Sequence, residues 1–81
     1  LEAAVMQTVL SLEEFLANND WRIANDDFNR MVTDYFGQAV DGAQIGKAAA
    51  RLGNKSVFMG KRRGKELSPE LMAALKAKNT R

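Results

Sequence analysis

Neither cysteine nor histidine occurs among the 81 residues of this chain. Without cysteine no disulfide can form, and without both residues the usual zinc sites are excluded. The same absence removes the commonest general base and the best side-chain nucleophile. The neighbouring carboxylates Glu13-Glu14 and Asp26-Asp27 do not replace them, because adjacent residues of a helix point in different directions. We therefore expect a chain that is not an enzyme and that holds no cofactor and no metal.

Long apolar runs are also absent, and none approaches the ~20 residues that a membrane-spanning helix needs. The first ten residues contain Glu2 and no basic cluster, so a secretory signal peptide is not expected there. The lack of cysteine fits a reducing compartment. The sequence thus predicts a cytoplasmic protein without a membrane partner. Its length corresponds to one domain, residues 1–81, which we expect to belong to a larger protein.

The charges that are present divide the chain in two. Residues 1–40 hold two arginines against seven carboxylates, a net charge of −5. Residues 41–81 hold ten lysines and arginines against three carboxylates, a net charge of +7. Such asymmetry suggests an anionic partner for the basic half. It also fits two solvated surfaces that attract each other within the domain, and both interpretations stay open.

Helical periodicity dominates the acidic half. An apolar stripe predicts a helix over residues 1–18; its members are Val5, Val9, Leu12 and Leu16. Ser11 and Glu14 have the spacing of a capping box, so the helix is either interrupted at Ser11 or carries it on an exposed face. Residues 21–24 alternate in polarity and predict a short extended link. A second helix is expected from residue 25 or 26 to Gly37.

The aromatic side chains fit burial patterns in these elements. Phe28, Tyr35 and Phe36 follow the apolar stripe of the second helix, and Phe58 lies in a segment that favours a strand. We expect all four to belong to the core and none to stack on nucleic-acid bases.

The third helix has the clearest local signals. Asp41 is a good N-cap, Gln44 completes a capping box, and Gly53 ends the helix after Leu52. The residues expected to face inward are Ile45, Ala48, Ala49 and Leu52. Those expected to face outward include Gln44, Lys47 and Arg51.

The C-terminal segment predicts a hairpin followed by a helix. Residues 55–59 favour an extended strand, residues 61–64 a turn, and residues 65–67 a short returning strand. Ser68 and Pro69 are typical of a helix start. Residues 76–81 are expected to form a frayed basic tail.

The segment from Ile45 to Gly53 resembles a helix of helix-turn-helix proteins, with a small Ala49, an apolar Leu52 and the Gly53 turn in the order those proteins use. The order of three helices and a basic hairpin, over about the last two-thirds of the chain, resembles winged-helix modules at the ends of phage and plasmid replication proteins. The resemblance implies a mainly α fold, a three- to four-helix domain with a short β-hairpin wing.

An all-α helix-turn-helix domain is the alternative fold, with Ser56 capping a recognition helix over residues 57–64. We prefer the winged form for two reasons. Val57 and Phe58 favour a strand. Gly60 and Gly64 would each weaken a helix by about 1 kcal/mol.

The winged interpretation predicts a nucleic-acid partner, double-stranded DNA in the first place. Helix 42–52 would enter the major groove, where Gln44, Lys47 and Arg51 would contact base edges. Phosphates would be neutralised by Lys61, Arg62 and Arg63 at the tip of the wing, together with Lys55 and Lys65. Ser56 would add a phosphate hydrogen bond.

A helical protein-interaction or dimerisation module is the alternative function. In that case the acidic N-terminal half or its apolar stripe would bind a partner protein or a second copy of the chain. Lys47 and Arg51 would then only keep an exposed helix face solvated.

Overall fold

The computed structural model describes residues 1–79. In chain order its elements are α1 (Glu2–Ser11), α2 (Glu13–Ala17), β1 (Arg22–Ala24), α3 (Asn25–Phe36), α4 (Gly42–Leu52), β2 (Lys55–Met59), β3 (Arg62–Glu66) and α5 (Pro69–Asn79). The expected mainly helical domain with a β-hairpin is therefore confirmed. The all-α alternative is wrong, because residues 57–64 form two strands and a turn. None of the helices within residues 1–79 is both long enough and apolar enough to cross a membrane.

The helix expected over residues 1–18 is broken into α1 and α2 at Leu12. Ser11 does not cap α2, because its hydroxyl donates a 2.7 Å hydrogen bond back to the carbonyl of Thr8. The capping-box interpretation of Ser11 is therefore wrong, and the interruption falls one residue later. The break leaves the apolar stripe intact, with Leu12 and Leu16 both buried.

The three strands form one antiparallel sheet in the order β1-β3-β2. The link expected at residues 21–24 supplies β1, in which Ile23 lies opposite Lys65. β3 begins at Arg62, three residues earlier than expected, because the hairpin turns within Gly60 and Lys61 alone. Gly60 has a φ of +68°, and glycine at the first central position suits a two-residue hairpin turn.

The core lies where α1 meets α3, α4 and α5. Its fully buried side chains come from every layer and include Val5, Val9, Leu16, Ile23, Phe28, Val32, Ile45 and Leu67. α4 joins it through Ile45, Ala48 and Ala49, as expected, whereas Leu52 is only partly buried. The two alanines allow α4 to approach α1 closely, and this packing fixes which side of α4 faces outward.

Three of the four aromatic residues assigned to the core are exposed. Phe28 is buried, but Tyr35 is 60%, Phe36 38% and Phe58 70% exposed. The buried part of α3 ends at Val32, so the apolar periodicity of the helix continues for one turn beyond the layer it packs against. Phe58 lies on an end strand of the sheet with its side chain in solvent.

The last helix starts as expected, with the Ser68 hydroxyl accepting a 3.1 Å hydrogen bond from the backbone N–H of Leu71. α5 then continues to Asn79. The expected frayed tail is therefore wrong for residues 76–79, and residues 80 and 81 lie outside the described part of the chain.

Packing at Gly64 gives a test of the sheet. A Cβ there would overlap the sulfur of Met59 and lie 2.7 Å from the carbonyl oxygen of Ile23. We expect Gly64→Ala to lower the free energy of unfolding by about 1–3 kcal/mol in chemical denaturation. Gly46→Ala is the matched control inside α4, where a Cβ meets nothing within 4 Å. It should be neutral or stabilising by up to about 1 kcal/mol. Equal effects would contradict this packing.

Candidate nucleic-acid interface

The outer side of α4 carries the three residues expected to contact bases. Gln44, Lys47 and Arg51 are all exposed, as the burial of the opposite side of α4 requires. The helix start is fixed by Asp41, whose carboxylate accepts a 3.2 Å hydrogen bond from the backbone N–H of Ala43. Lys47 and Arg51 lie one turn apart and share one side of the helix.

Arg51 is held by α1. Its Nε donates to the carboxylate of Glu2, and the two side chains are 60% and 58% exposed. An exposed pair of this kind contributes only about 0–1 kcal/mol. A base edge or a phosphate can therefore displace the Glu2 carboxylate from Arg51.

The hairpin distributes its cations differently from the prediction. Lys61 lies at the turn, but Arg62 and Arg63 belong to β3, so their placement at the tip is wrong. Consecutive strand residues point to opposite faces of the sheet. Arg62 approaches Asp26, with 3.6 Å between Nη2 and Oδ2. The Arg63 guanidinium instead lies 5.5 Å from the ring centroid of Phe58.

β2 carries the next two expected contacts. Lys55 and Ser56 are both exposed at its start. Only Gly53 and Asn54 separate α4 from β2, so the Cα atoms of Arg51 and Lys55 lie at most about 14 Å apart. The outer side of α4 and the beginning of the hairpin therefore form neighbouring parts of the surface.

Lys65 does not reach this surface. It is only 6% exposed, and its Nζ donates a 2.7 Å hydrogen bond to the side-chain oxygen of Asn25. The ammonium also lies 5.4 Å from the ring centroid of Phe28, and burial lowers the pKa of Lys65 below its usual 10.5. Its expected contact with phosphate finds no support in this geometry. The sequence held a signal for this, because Lys65 is two residues from the buried Leu67.

Ion pairs connect the two oppositely charged halves of the chain. Three cations of the basic half pair with carboxylates of the acidic half, as Arg51–Glu2, Arg62–Asp26 and Lys76–Glu13. Within residues 1–79, other cations of the basic half have no carboxylate within 4.0 Å; on α4 and the hairpin these are the exposed Lys47, Lys55, Lys61 and Arg63 and the buried Lys65. Ion pairs between the two halves of the chain therefore neutralise only some of the cations of the basic half.

One group of residues was missed by the sequence interpretation. A depression of about 190 Å³ lies beside the hairpin, lined by Asn25, Ser56, Val57, Phe58, Arg63 and Gly64. The sequence predicts Phe58 in the core, and this prediction is wrong. Its alternation with the half-buried Val57 and Met59 would have placed it on the other face of β2.

No group of three or more acidic side chains within residues 1–79 is arranged to hold a metal ion.

Comparison of the chain with models of known protein families, with curated proteins and with solved structures finds no match.

The buried ammonium predicts a pH dependence of stability. Because the pKa of Lys65 is lowered in the folded state, the unfolded chain binds more protons at alkaline pH. The contribution of Lys65 to stability therefore rises as the pH rises from 7 toward 10.5. We expect wild type to gain stability relative to Lys65→Met over that range, measured by urea denaturation at each pH.

Lys55→Met is the matched control, because Lys55 is an exposed lysine on the neighbouring strand. Its unfolding free energy should stay within about 0.5 kcal/mol of wild type. If the unfolding free energy of wild type, relative to that of Lys65→Met, stayed constant or fell as the pH rises, the Lys65 ammonium would be solvated in the folded protein.

Proposed function

We propose that this chain is a non-catalytic domain that binds double-stranded DNA, with α4 in the major groove and the β2–β3 hairpin on flanking phosphates. The observation that carries the proposal is a set of exposed cations on α4 and on the hairpin that directly follows it in the chain. We call them the α4–hairpin cations: Lys47, Arg51, Lys55, Lys61, Arg62 and Arg63. Four of the six have no carboxylate partner among the described residues, and the other two have exposed, weak ones.

The connection between α3 and α4 supports this use of α4. Residues 37–41 join the two helices, and Gly37 takes the left-handed conformation at a φ of +87°. In helix-turn-helix proteins, two helices joined by a short turn that often contains glycine place the second helix in the major groove. A helix about 10–12 Å in diameter fits a groove about 12 Å wide. The hairpin that follows α4 supports a winged-helix variant.

The proposed contacts fall into two classes. On α4, Gln44 suits adenine, while Lys47 and Arg51 suit guanine. On the hairpin, Lys55, Lys61, Arg62 and Arg63 bind phosphates, and the hydroxyl of Ser56 donates one further hydrogen bond. Lys65 is left out of the proposed interface because its ammonium is buried against Asn25.

One observation favours a protein partner as a second candidate. Tyr35 and Phe36 are adjacent exposed aromatic side chains in the last turn of α3, within the acidic half. Aromatic residues are enriched at protein–protein interfaces. Light scattering over a concentration series tests the simplest form, a dimer of this chain, and Tyr35→Ala with Phe36→Ala should then dissociate it.

Salt dependence tests the electrostatic part of the DNA proposal. With the four hairpin cations on phosphates, log affinity for duplex DNA should fall with log salt at a slope of about −3 to −4. Lys61→Ala should reduce the steepness by about one unit and weaken all duplexes nearly alike. Fluorescence anisotropy from 50 to 200 mM salt measures both slopes. A slope near zero, or no binding at 50 mM salt, contradicts the proposal.

Arg51 tests whether α4 contacts bases. We expect Arg51→Ala to cost a selected duplex about 1–3 kcal/mol and to spare a scrambled one, because a base contact carries sequence preference. Glu2→Gln is the matched control, since it breaks the same ion pair and keeps the arginine. It should retain or raise the affinity. Equal losses in both variants would mean that the ion pair matters only for the fold.

A further inference from the structure

Phe58 is the most exposed large hydrophobic side chain in the described part of the chain, at 70%. It lies on β2, directly opposite Arg63 of β3. The Arg63 guanidinium is 5.5 Å from the ring centroid, within the range of a cation–π contact. The hairpin thus presents an aromatic ring that is oriented by an arginine and open to solvent over most of its surface.

The outward position of Phe58 is set by packing on the other face of the hairpin. Val57 and Met59 flank it in sequence and are both half-buried. Gly64 leaves the space that the sulfur of Met59 fills. With Met59 held against Gly64, strand alternation turns Phe58 to the opposite face. The register thus places the ring on the face of the sheet that carries Ile23 and Lys65, and α3, which packs against β1 and β3, leaves the ring in solvent.

The depression next to Phe58 supplies polar groups and space. Its volume of about 190 Å³ is below the ~300 Å³ of ordinary small-molecule sites, which suits one planar ring. The Ser56 hydroxyl lines it on the same side of β2 as Phe58. Asn25 lines it too, and because its side-chain oxygen accepts from Lys65, its NH₂ group is the part left to donate.

We infer that Phe58 and Arg63 form a stacking site for one unpaired nucleobase of a nucleic-acid strand. Every base offers a π-face, so stacking on an aromatic ring tolerates any sequence. A base within a duplex has both faces covered by its neighbours, so the site takes a base from a single-stranded segment or a duplex end. Lys55 and Lys61 on the same hairpin attract the backbone of that strand.

The inference deepens the proposed function and rests on it in one respect, that the hairpin cations bind the backbone. Combined with α4 in the groove, the stacking site gives the domain a preference for a duplex that ends in a single strand. The duplex supplies groove and phosphates, and the first unpaired base stacks on Phe58.

Anisotropy titrations of the full chain with three DNA probes test the inference. The probes are a duplex with a thymine overhang, a blunt duplex with the same number of phosphates, and single-stranded oligothymidine. Wild type should bind the overhang duplex about 5- to 100-fold more tightly than the blunt one. Phe58→Ala and Phe58→Leu should lose this preference and keep the blunt affinity. Phe58→Trp should retain it, because it retains an aromatic face.

Tyr35→Ala is the matched control, since it removes a ring that is 60% exposed but lies on α3. All three affinities should stay at wild-type values. The apolar Phe58→Leu separates loss of stacking from any loss of stability, which the denaturation midpoint measures.

The outcomes distinguish this site from duplex binding. Equal affinities for blunt and overhang duplexes, unchanged in Phe58→Ala, overturn the stacking site and leave the duplex proposal standing. Phe58-dependent binding of oligothymidine without any duplex binding supports the stacking site and overturns the duplex proposal. Binding to none of the probes at 50 mM salt overturns both.

Discussion

The fit of Met59 over Gly64 sets the register of the hairpin, and most of the proposed interface depends on that register. β3 is the central strand, so its alternation determines the faces of both neighbours. With this register, Lys65 faces α3 beside Ile23, while Arg63 and Phe58 extend the same face into solvent. A shift of β3 by one residue would move Lys65 and Arg63 together to the opposite face and turn Gly64 and Glu66 toward α3.

The basic surface of the domain has two parts, one in which cations pair with carboxylates of the acidic half and one in which they do not. The acidic helices supply partners to Arg51, Arg62 and Lys76, all in exposed pairs that stabilise the fold by little. An incoming phosphate has the same sign as the carboxylates it replaces, so such pairs exchange at low cost. The acidic half therefore shields part of the basic surface and leaves the exposed Lys47, Lys55, Lys61 and Arg63 without a carboxylate partner among residues 1–79.

Local sequence signals predicted the helices and strands well, but they predicted poorly which side chains are exposed. The Asp41 cap and the Gly53 stop fixed α4, and the hairpin followed from its strand formers and glycines. Whether Lys65, Tyr35 or Phe58 is buried depends on what packs against each element. Periodicity assigns a side chain to a face, but it does not say which part of that face another element covers. The break at Leu12 did not follow from the expected Ser11 cap either, since Ser11 satisfies its hydroxyl within α1. The candidate base contacts on α4 could be predicted from the sequence. The site at Phe58 could not, because it depends on the pairing register of β2 and β3.

The two proposed contacts constrain each other through chain connectivity. Phe58 follows Arg51 by seven positions, so their Cα atoms lie at most about 25 Å apart. Successive bases of one strand are about 3.4 Å apart along a duplex. Allowing for the reach of the two side chains, the base step contacted by Arg51 and the unpaired base on Phe58 must lie within on the order of ten steps of each other. A site with a longer duplex between them could engage α4 or the hairpin ring, but a single copy of the domain could not engage both.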